Sequence, residues 1–132
     1  MAEMKEINHA GAAATPAHYS AAVREGNWMC ISGQLPLNPA TREPCEGDVR
    51  AQTRKALENL EALIKQEGGD RNCVVRTTAY IAHMEDWGAV NEVYREFFGA
   101  HRPARTIAAV PEIHFGFLVE IDGVAVLPHG GE

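Results

Sequence analysis

Three kinds of feature are scarce in this 132-residue chain, and each scarcity removes a class of function. Basic residues are outnumbered: 12 Lys and Arg against 18 Asp and Glu leave a formal net charge of −6. Nucleic-acid binding draws on a basic stripe that neutralises phosphates, and the cations here are scattered, so no nucleic-acid partner is expected. No apolar run approaches the ~20 residues that span a bilayer, and Met1–Glu6 has no apolar core of the kind a secretory leader carries. Neither membrane association nor export is therefore expected. The three cysteines, Cys30, Cys45 and Cys73, are far apart and form no CxxC pair. That favours buried or incidental thiols in a reducing, cytoplasmic setting over a disulfide framework. The six histidines, His9, His18, His83, His101, His114 and His129, have no HxH or HExxH spacing, which argues against a zinc site. No glycine pair leads into the Lys-Ser/Thr of a phosphate loop. No cofactor is expected.

What is present is ordinary globular material, 45% apolar and 23% charged. The length suits one domain over residues 1–132, burying roughly two-thirds of its unfolded surface. Glu3 to Ile7 reads as a short edge strand, and residues 10–16 as a small-residue loop. Ser20 to Arg24 pairs with Trp28 to Ser32 through a Glu25-Gly26-Asn27 turn. Pro36, Pro39 and Pro44 exclude a regular helix from Gly33 to Gly47. Asp48 then caps a helix to about Glu67, whose apolar face is Thr53, Ala56, Leu57, Leu60, Leu63 and Ile64, with Gly68-Gly69 as its stop. Asn72 to Ala82 alternates as a strand with Cys73, Val75, Thr77, Ala79 and Ile81 on one side. Asp86 is placed to cap a second helix with the stripe Val90, Val93, Tyr94, Phe97 and Phe98, ended by Gly99. Two apolar strands follow, from Arg102 and from Phe117. The order β-β-β-α-β-α-β-β is that of an α+β fold, with a single mixed sheet and both helices on one face. The opposite face is left partly uncovered, and apolar side chains there favour contact with another subunit.

Arg105, at the opening of one apolar strand, and Glu120, inside the next, are the residues of most chemical interest. Burying either without a partner is costly. They satisfy that cost by pairing with each other, or Arg105 binds a small acidic ligand through its fork of donors. From the two residues alone the first reading is at least as good. Asp122 lies two positions beyond Glu120, so either carboxylate is also available to an arginine across an interface. Trp28, Trp87 and the Val90-to-Phe98 stripe read as packing residues.

Several motifs in order resemble the RidA (YjgF) family of reactive-intermediate imine/enamine deaminases. They are His18-Tyr19-Ser20, Ile31-Ser32-Gly33-Gln34-Leu35-Pro36, Val90-Asn91-Glu92-Val93-Tyr94-Arg95-Glu96-Phe97-Phe98, Pro103-Ala104-Arg105 and Val119-Glu120-Ile121. The resemblance runs from about Ala17 to Val126. It implies a chorismate-mutase-like fold and a homotrimer whose sheets form a central barrel, with ligand clefts between subunits. It further implies that Arg105 grips the carboxylate of a 2-imino acid such as one derived from 2-aminoacrylate or 2-aminocrotonate, and that Glu120 positions water. Tyr19, Ser32, Gly33 and Asn91 match residues that shape the cleft, with backbone carbonyls near Ile107 accepting from the imine nitrogen. Asn91 serves equally as a brace for a neighbouring loop, and Ser32-Gly33 as a tight strand end. Two positions depart from the usual pattern: Ile107 stands where many members have cysteine, and Pro111-Glu112-Ile113-His114-Phe115-Gly116 replaces a different short linker. These leave open a deaminase dedicated to one pathway, acting on an aminoacrylate or aminomuconate-like acid, and a non-catalytic trimer that binds 2-keto acids.

Overall fold

A computed structural model describes residues 3–12 and 15–128. Part of the expected 10–16 loop and His129 therefore lie outside the described residues. The strands are β1 (Lys5–Ile7), β2 (Ala22–Glu25), β3 (Trp28–Gln34), β4 (Val74–Ile81), β5 (Ala104–Ala109) and β6 (Val119–Val126), and the helices are α1 (Val49–Gln66) and α2 (Trp87–Phe98). They form one six-stranded mixed sheet ordered β1-β2-β3-β6-β4-β5, in which only β4 and β5 run parallel. This is the α+β architecture that the element order predicts.

Local chemistry explains the elements. The Glu25↔Trp28 pair closes a two-residue hairpin in which Gly26 supplies a φ of 60 at the first turn position. Ser20 lies outside β2, its carbonyl accepting the Ser32 hydroxyl, whereas β3 runs on past Ser32, through a register shift, to pair Gln34 with Ile121. Asp48 caps α1 by accepting from the Arg50 and Ala51 amides at 3.1 Å each, and the Thr53-to-Ile64 face is buried as its spacing predicts. Asp86 sits at the N-terminus of α2, but a single 3₁₀ turn over Met84–Asp86 leads into that helix and the carboxylate makes no capping bond. The expected inward row of β4 holds for Thr77, Ala79 and Ile81 and fails before them. Val74 is buried and Val75 is exposed, because the pairing to β6 shifts between Val74 and Arg76. A bulge adds one residue and reverses the alternation upstream of it. Cys73 falls in a 3₁₀ turn rather than in the strand.

Both helices lie on one face, with α1 across β6 and β3 and α2 against α1. The core gathers Met29, Leu57, Leu60, Ile81, Val90 and Ile121 between the layers. The other face is open: Trp28 is 55% exposed, Cys30 is exposed, and Val124 and Val126 are half-buried. Among the described residues no helix is long and apolar enough to cross a membrane.

One polar clamp ties the helices to the sheet entrance. Glu61, 5% exposed on α1, accepts from the Arg71 backbone amide at 2.9 Å and from its guanidinium at 2.9 and 3.1 Å. Arg71 in turn donates to the Phe97 carbonyl at 2.6 Å and lies over the Phe97 ring. Burial alone would raise the Glu61 carboxyl, but hydrogen bonds and charge from Arg71, with Lys65 behind, bring it below 4.5. The Arg71 side chain is 36% exposed, so solvent screens part of the ion pair. Removing Glu61 nevertheless leaves a part-buried amide and part of a guanidinium unpartnered. Glu61→Ala is expected to lower the unfolding free energy by about 2 kcal/mol at neutral pH. A carboxyl depressed by folding stabilises above its unfolded pKa and loses that contribution as pH falls through the folded value. The gap between variant and wild type in denaturant titrations should therefore narrow below pH 4.5.

Candidate active site

Arg105 opens β5 in register with Thr77 of β4, on the face that carries the helices. Its guanidinium carbon lies 4.9 Å from the Tyr94 ring centroid and 5.4 Å from that of Trp87, both on α2. The Tyr94 hydroxyl is 2.7 Å from the Thr77 hydroxyl, and burial, foremost, pushes its pKa up to about 12. Tyr94 thus stays neutral and offers Arg105 an aromatic face rather than a charge. Among the described residues no carboxylate pairs with Arg105. Beside it opens a cleft of about 540 Å³ lined by Asn91, Arg95, His101, Arg102 and Arg105, among others, with no Asp or Glu. Such a lining suits an anionic ligand.

Asn91 enters this cleft from α2, and among the described residues its amide makes no hydrogen bond. Ile107, two residues along from Arg105, turns its side chain toward the core. It sits on β5, the edge strand of the sheet, where one row of peptide groups faces away from β4.

Glu120 lies on the other face. In β6 the residues Val119, Ile121 and Ala125 are buried under the helices, so Glu120, Asp122, Val124 and Val126 point away from them. Glu120 is paired across strands with Tyr80, whereas Arg105 is paired with Thr77, whose hydroxyl is buried against Tyr94. The two residues are therefore separated by the sheet, and an internal Arg105–Glu120 salt bridge is ruled out. The Tyr80 hydroxyl donates to Asp122 at 3.1 Å, and Asp122 is the first cause that raises the Tyr80 pKa. Burial raises the Glu120 carboxyl above 4.5, Asp122 adds to that, and His114 opposes it.

Gly33 stands directly against this carboxylate: a Cβ there would come within 2.9 Å of Glu120 Cδ. Only glycine leaves Glu120 where it is. Tyr19, 59% exposed, lines a second cleft of about 530 Å³ together with Gly33, Gln34 and Asn59. The Ser32 hydroxyl donates to the Ser20 carbonyl at 2.7 Å and its amide to Ala21 at 2.9 Å, so Ser32 is held as a strand-end brace. The structure thus gathers the residues singled out in the sequence into two groups: Arg105, Asn91 and Ile107 on the helix side, and Glu120, Gly33 and Tyr19 at the other. Sequence reasoning missed Trp87 and Tyr94 as the aromatic bed of Arg105 and His114 as a neighbour of Glu120. Their spacing on α2 marks Trp87 and Tyr94 as near one face, but only the α2–β5 packing shows what they meet. Among the described residues, no three of His, Cys, Asp or Glu converge as a metal-binding cluster.

This fold and these residues define a known class. The chain matches the family profile described as Endoribonuclease L-PSP over residues 9–127, and it belongs to that family, the RidA/YjgF proteins. A RutC family protein of Pyrococcus horikoshii is 39% identical over 123 residues, 92% of this chain and 98% of that relative. The 2-iminobutanoate/2-iminopropanoate deaminase of Mus musculus is 38% identical over 122 residues, 92% and 90% of the two chains. The crystal structure of E. coli TdcF with bound serine aligns with a TM-score of 0.85 at 31% identity, covering 94% of this chain and 99% of that one.

The geometry around Glu120 predicts its titration. Carboxyl NMR should place Glu120 above 4.5. Asp122→Asn should lower that midpoint by removing a like charge, and His114→Ala should raise it. A Glu120 midpoint unmoved by either change would show that burial alone sets it.

Proposed function

We propose that the protein hydrolyses reactive 2-imino and enamine acids to 2-keto acids and ammonia, in clefts between the subunits of a homotrimer. The observation that carries this reading is the division of the site: a cationic cleft on the helix side of the sheet and an acidic group with raised pKa on the other. One chain cannot bring them to a common ligand, and a second copy can. In a closed ring each contact joins two different surfaces of neighbouring subunits. Exposed Trp28 and half-buried Val124 and Val126 supply area for such contacts. The named activity of the mouse relative and the serine bound to TdcF support a small amino-acid-derived ligand.

The imine carbon is already electrophilic, so the chemistry asks for little. Arg105 would hold the substrate carboxylate through paired, charge-assisted hydrogen bonds. Glu120 of the neighbouring copy would hold one water and take its proton as the oxygen adds to the imine carbon. The nitrogen, near the backbone at Ile107, takes that proton back from Glu120 and leaves as ammonia when the carbonyl forms. Orientation supplies several kcal/mol of such a barrier. A backbone acceptor does not depend on the side chain at position 107, so isoleucine suits this scheme as well as cysteine. Asn91 and Tyr19 would close the cleft from the two subunits. The three cysteines, none of them in a disulfide, suit a reducing, cytoplasmic compartment.

Coupling the protein to a serine or threonine dehydratase, and following keto-acid release, tests the reading. Glu120→Gln is expected to lose roughly 10²–10⁴-fold in rate, the usual worth of a general base. Arg105→Ala should lose activity chiefly through KM, and Arg105→Lys should recover only part of it, because a point charge does not replace a planar fork. Binding of 2-ketobutyrate without acceleration would turn the reading to a sensor. Light scattering should give the mass of three chains.

A further inference from the structure

The segment between β5 and β6 is fastened at both ends. Ile113 and Phe117 are buried with Leu37 in a small second core, and the Leu118 amide donates to Gln52 Oε1 at 2.9 Å. Between these anchors the chain bends outward. The Gly116 amide returns to the Ile113 carbonyl at 3.0 Å, and Phe115 takes φ 61 and ψ 15. For a bulky aromatic residue that left-handed conformation is an outlier that costs stability. Burial of the ring does not offset the strain, since Phe115 is 64% exposed. Yet the ring is held, tilted 46° against His114 at 3.9 Å between centroids and edge-on to Phe117 at 6.3 Å. His114 is within electrostatic reach of Glu120. A strained aromatic ring is thus presented to solvent from a small core that also packs against Tyr80, the cross-strand partner of Glu120, which turns this loop toward the carboxylate.

The geometry points to Phe115, held by His114, as the apolar wall that receives the substrate's side chain and selects large apolar or aromatic 2-imino acids over three-carbon ones. This rests on the deaminase reading above and adds a substrate class to it. Arg105 takes the carboxylate, and the water on Glu120 takes one face of the imine carbon. The remaining substituent on that planar carbon then needs an apolar surface at the Glu120 end of the cleft. Phe115 offers one, and its strain follows from turning the ring outward rather than into the second core.

Phe115→Gly is the informative variant, because glycine adopts positive φ freely. It removes the wall and the strain together, so thermal stability should hold or rise. The probes are imines made in situ from alanine, leucine and phenylalanine by a flavin amino-acid oxidase, with their removal read from semicarbazone yield. In wild type, kcat/KM for the phenylalanine-derived imine should exceed that for the alanine-derived one. Phe115→Gly should lower this ratio roughly tenfold, mainly through KM for the large imine, and Phe115→Tyr should restore it. An unchanged ratio, or an equal loss for all three imines, would overturn the assignment. So would dissociation of the oligomer in Phe115→Gly, which would give the ring to a subunit contact instead. A wild type that prefers the alanine-derived imine would refute the selector and leave the deaminase reading intact, whereas one that accelerates none would refute both.

Discussion

The pleat of β6 is the constraint on which the site depends. Its residues alternate without interruption, with Val119, Ile121 and Ala125 under the helices and Glu120, Asp122, Val124 and Val126 on the open face. A slip of one residue would drive two carboxylates into the apolar layer and turn the core residues outward, so the hydrophobic effect fixes the register strongly. The strand also lies between β3 and β4. Holding it therefore fixes Gly33 against Glu120 on one side and, through β4, the height of Arg105 on the other. The separation of the two residues by the sheet follows from core packing rather than from anything at the site itself.

That separation keeps both groups chemically useful. An arginine beside a carboxylate of its own chain would be neutralised, and its fork of donors occupied. Arg105 instead rests on the rings of Tyr94 and Trp87, which stabilise a cation without consuming its hydrogen bonds. Glu120, partly desolvated and next to Asp122, is a stronger base than a free carboxylate. Its ionised form gains from a hydrogen-bonded water or a passing proton, which is what the proposed role asks of it. Among the described residues, each half is thus left short of full satisfaction within one chain.

Much of this was legible in the sequence because it follows from periodicity. The helices, the hairpin and the buried face of each helix came from 3.6- and two-residue spacings and from Asp48 and the glycines at the helix ends. The bulge at Val75 was not legible, since an inserted residue leaves no local mark and shows itself only as a shifted pairing with β6. Asp86 misled for a related reason: a good capping residue sits in the right place, but the 3₁₀ turn that it closes gives it a helical backbone and its carboxylate makes no capping bond. Arg105 and Glu120 stood out as costly charges in apolar strands, yet their faces depend on register across three strands, which one chain's pattern does not encode. Trp87 illustrates the same limit. Its type and spacing say packing, and only the approach of β5 to α2 makes it the bed of an arginine.

The clamp at the far end of the helices bears on the site as well. Arg71 holds the last turn of α2 through the Phe97 carbonyl, and Glu61 holds Arg71 to α1. Asn91, Tyr94 and Trp87 are carried on the same short helix, so its C-terminal half is fixed against the sheet, by this clamp and by the Tyr94–Thr77 bond. A cation held over rings loses its preference steeply when the rings shift, because the attraction depends on distance to the ring face. Rigidity on the helix side matters for that reason, and the core supplies it. The open face has no such cover within one chain: Glu120 is bordered by Gly33, which has no side chain to brace it, and by a strained loop that presents Phe115. What the helices do for Arg105, a neighbouring subunit would have to do for Glu120.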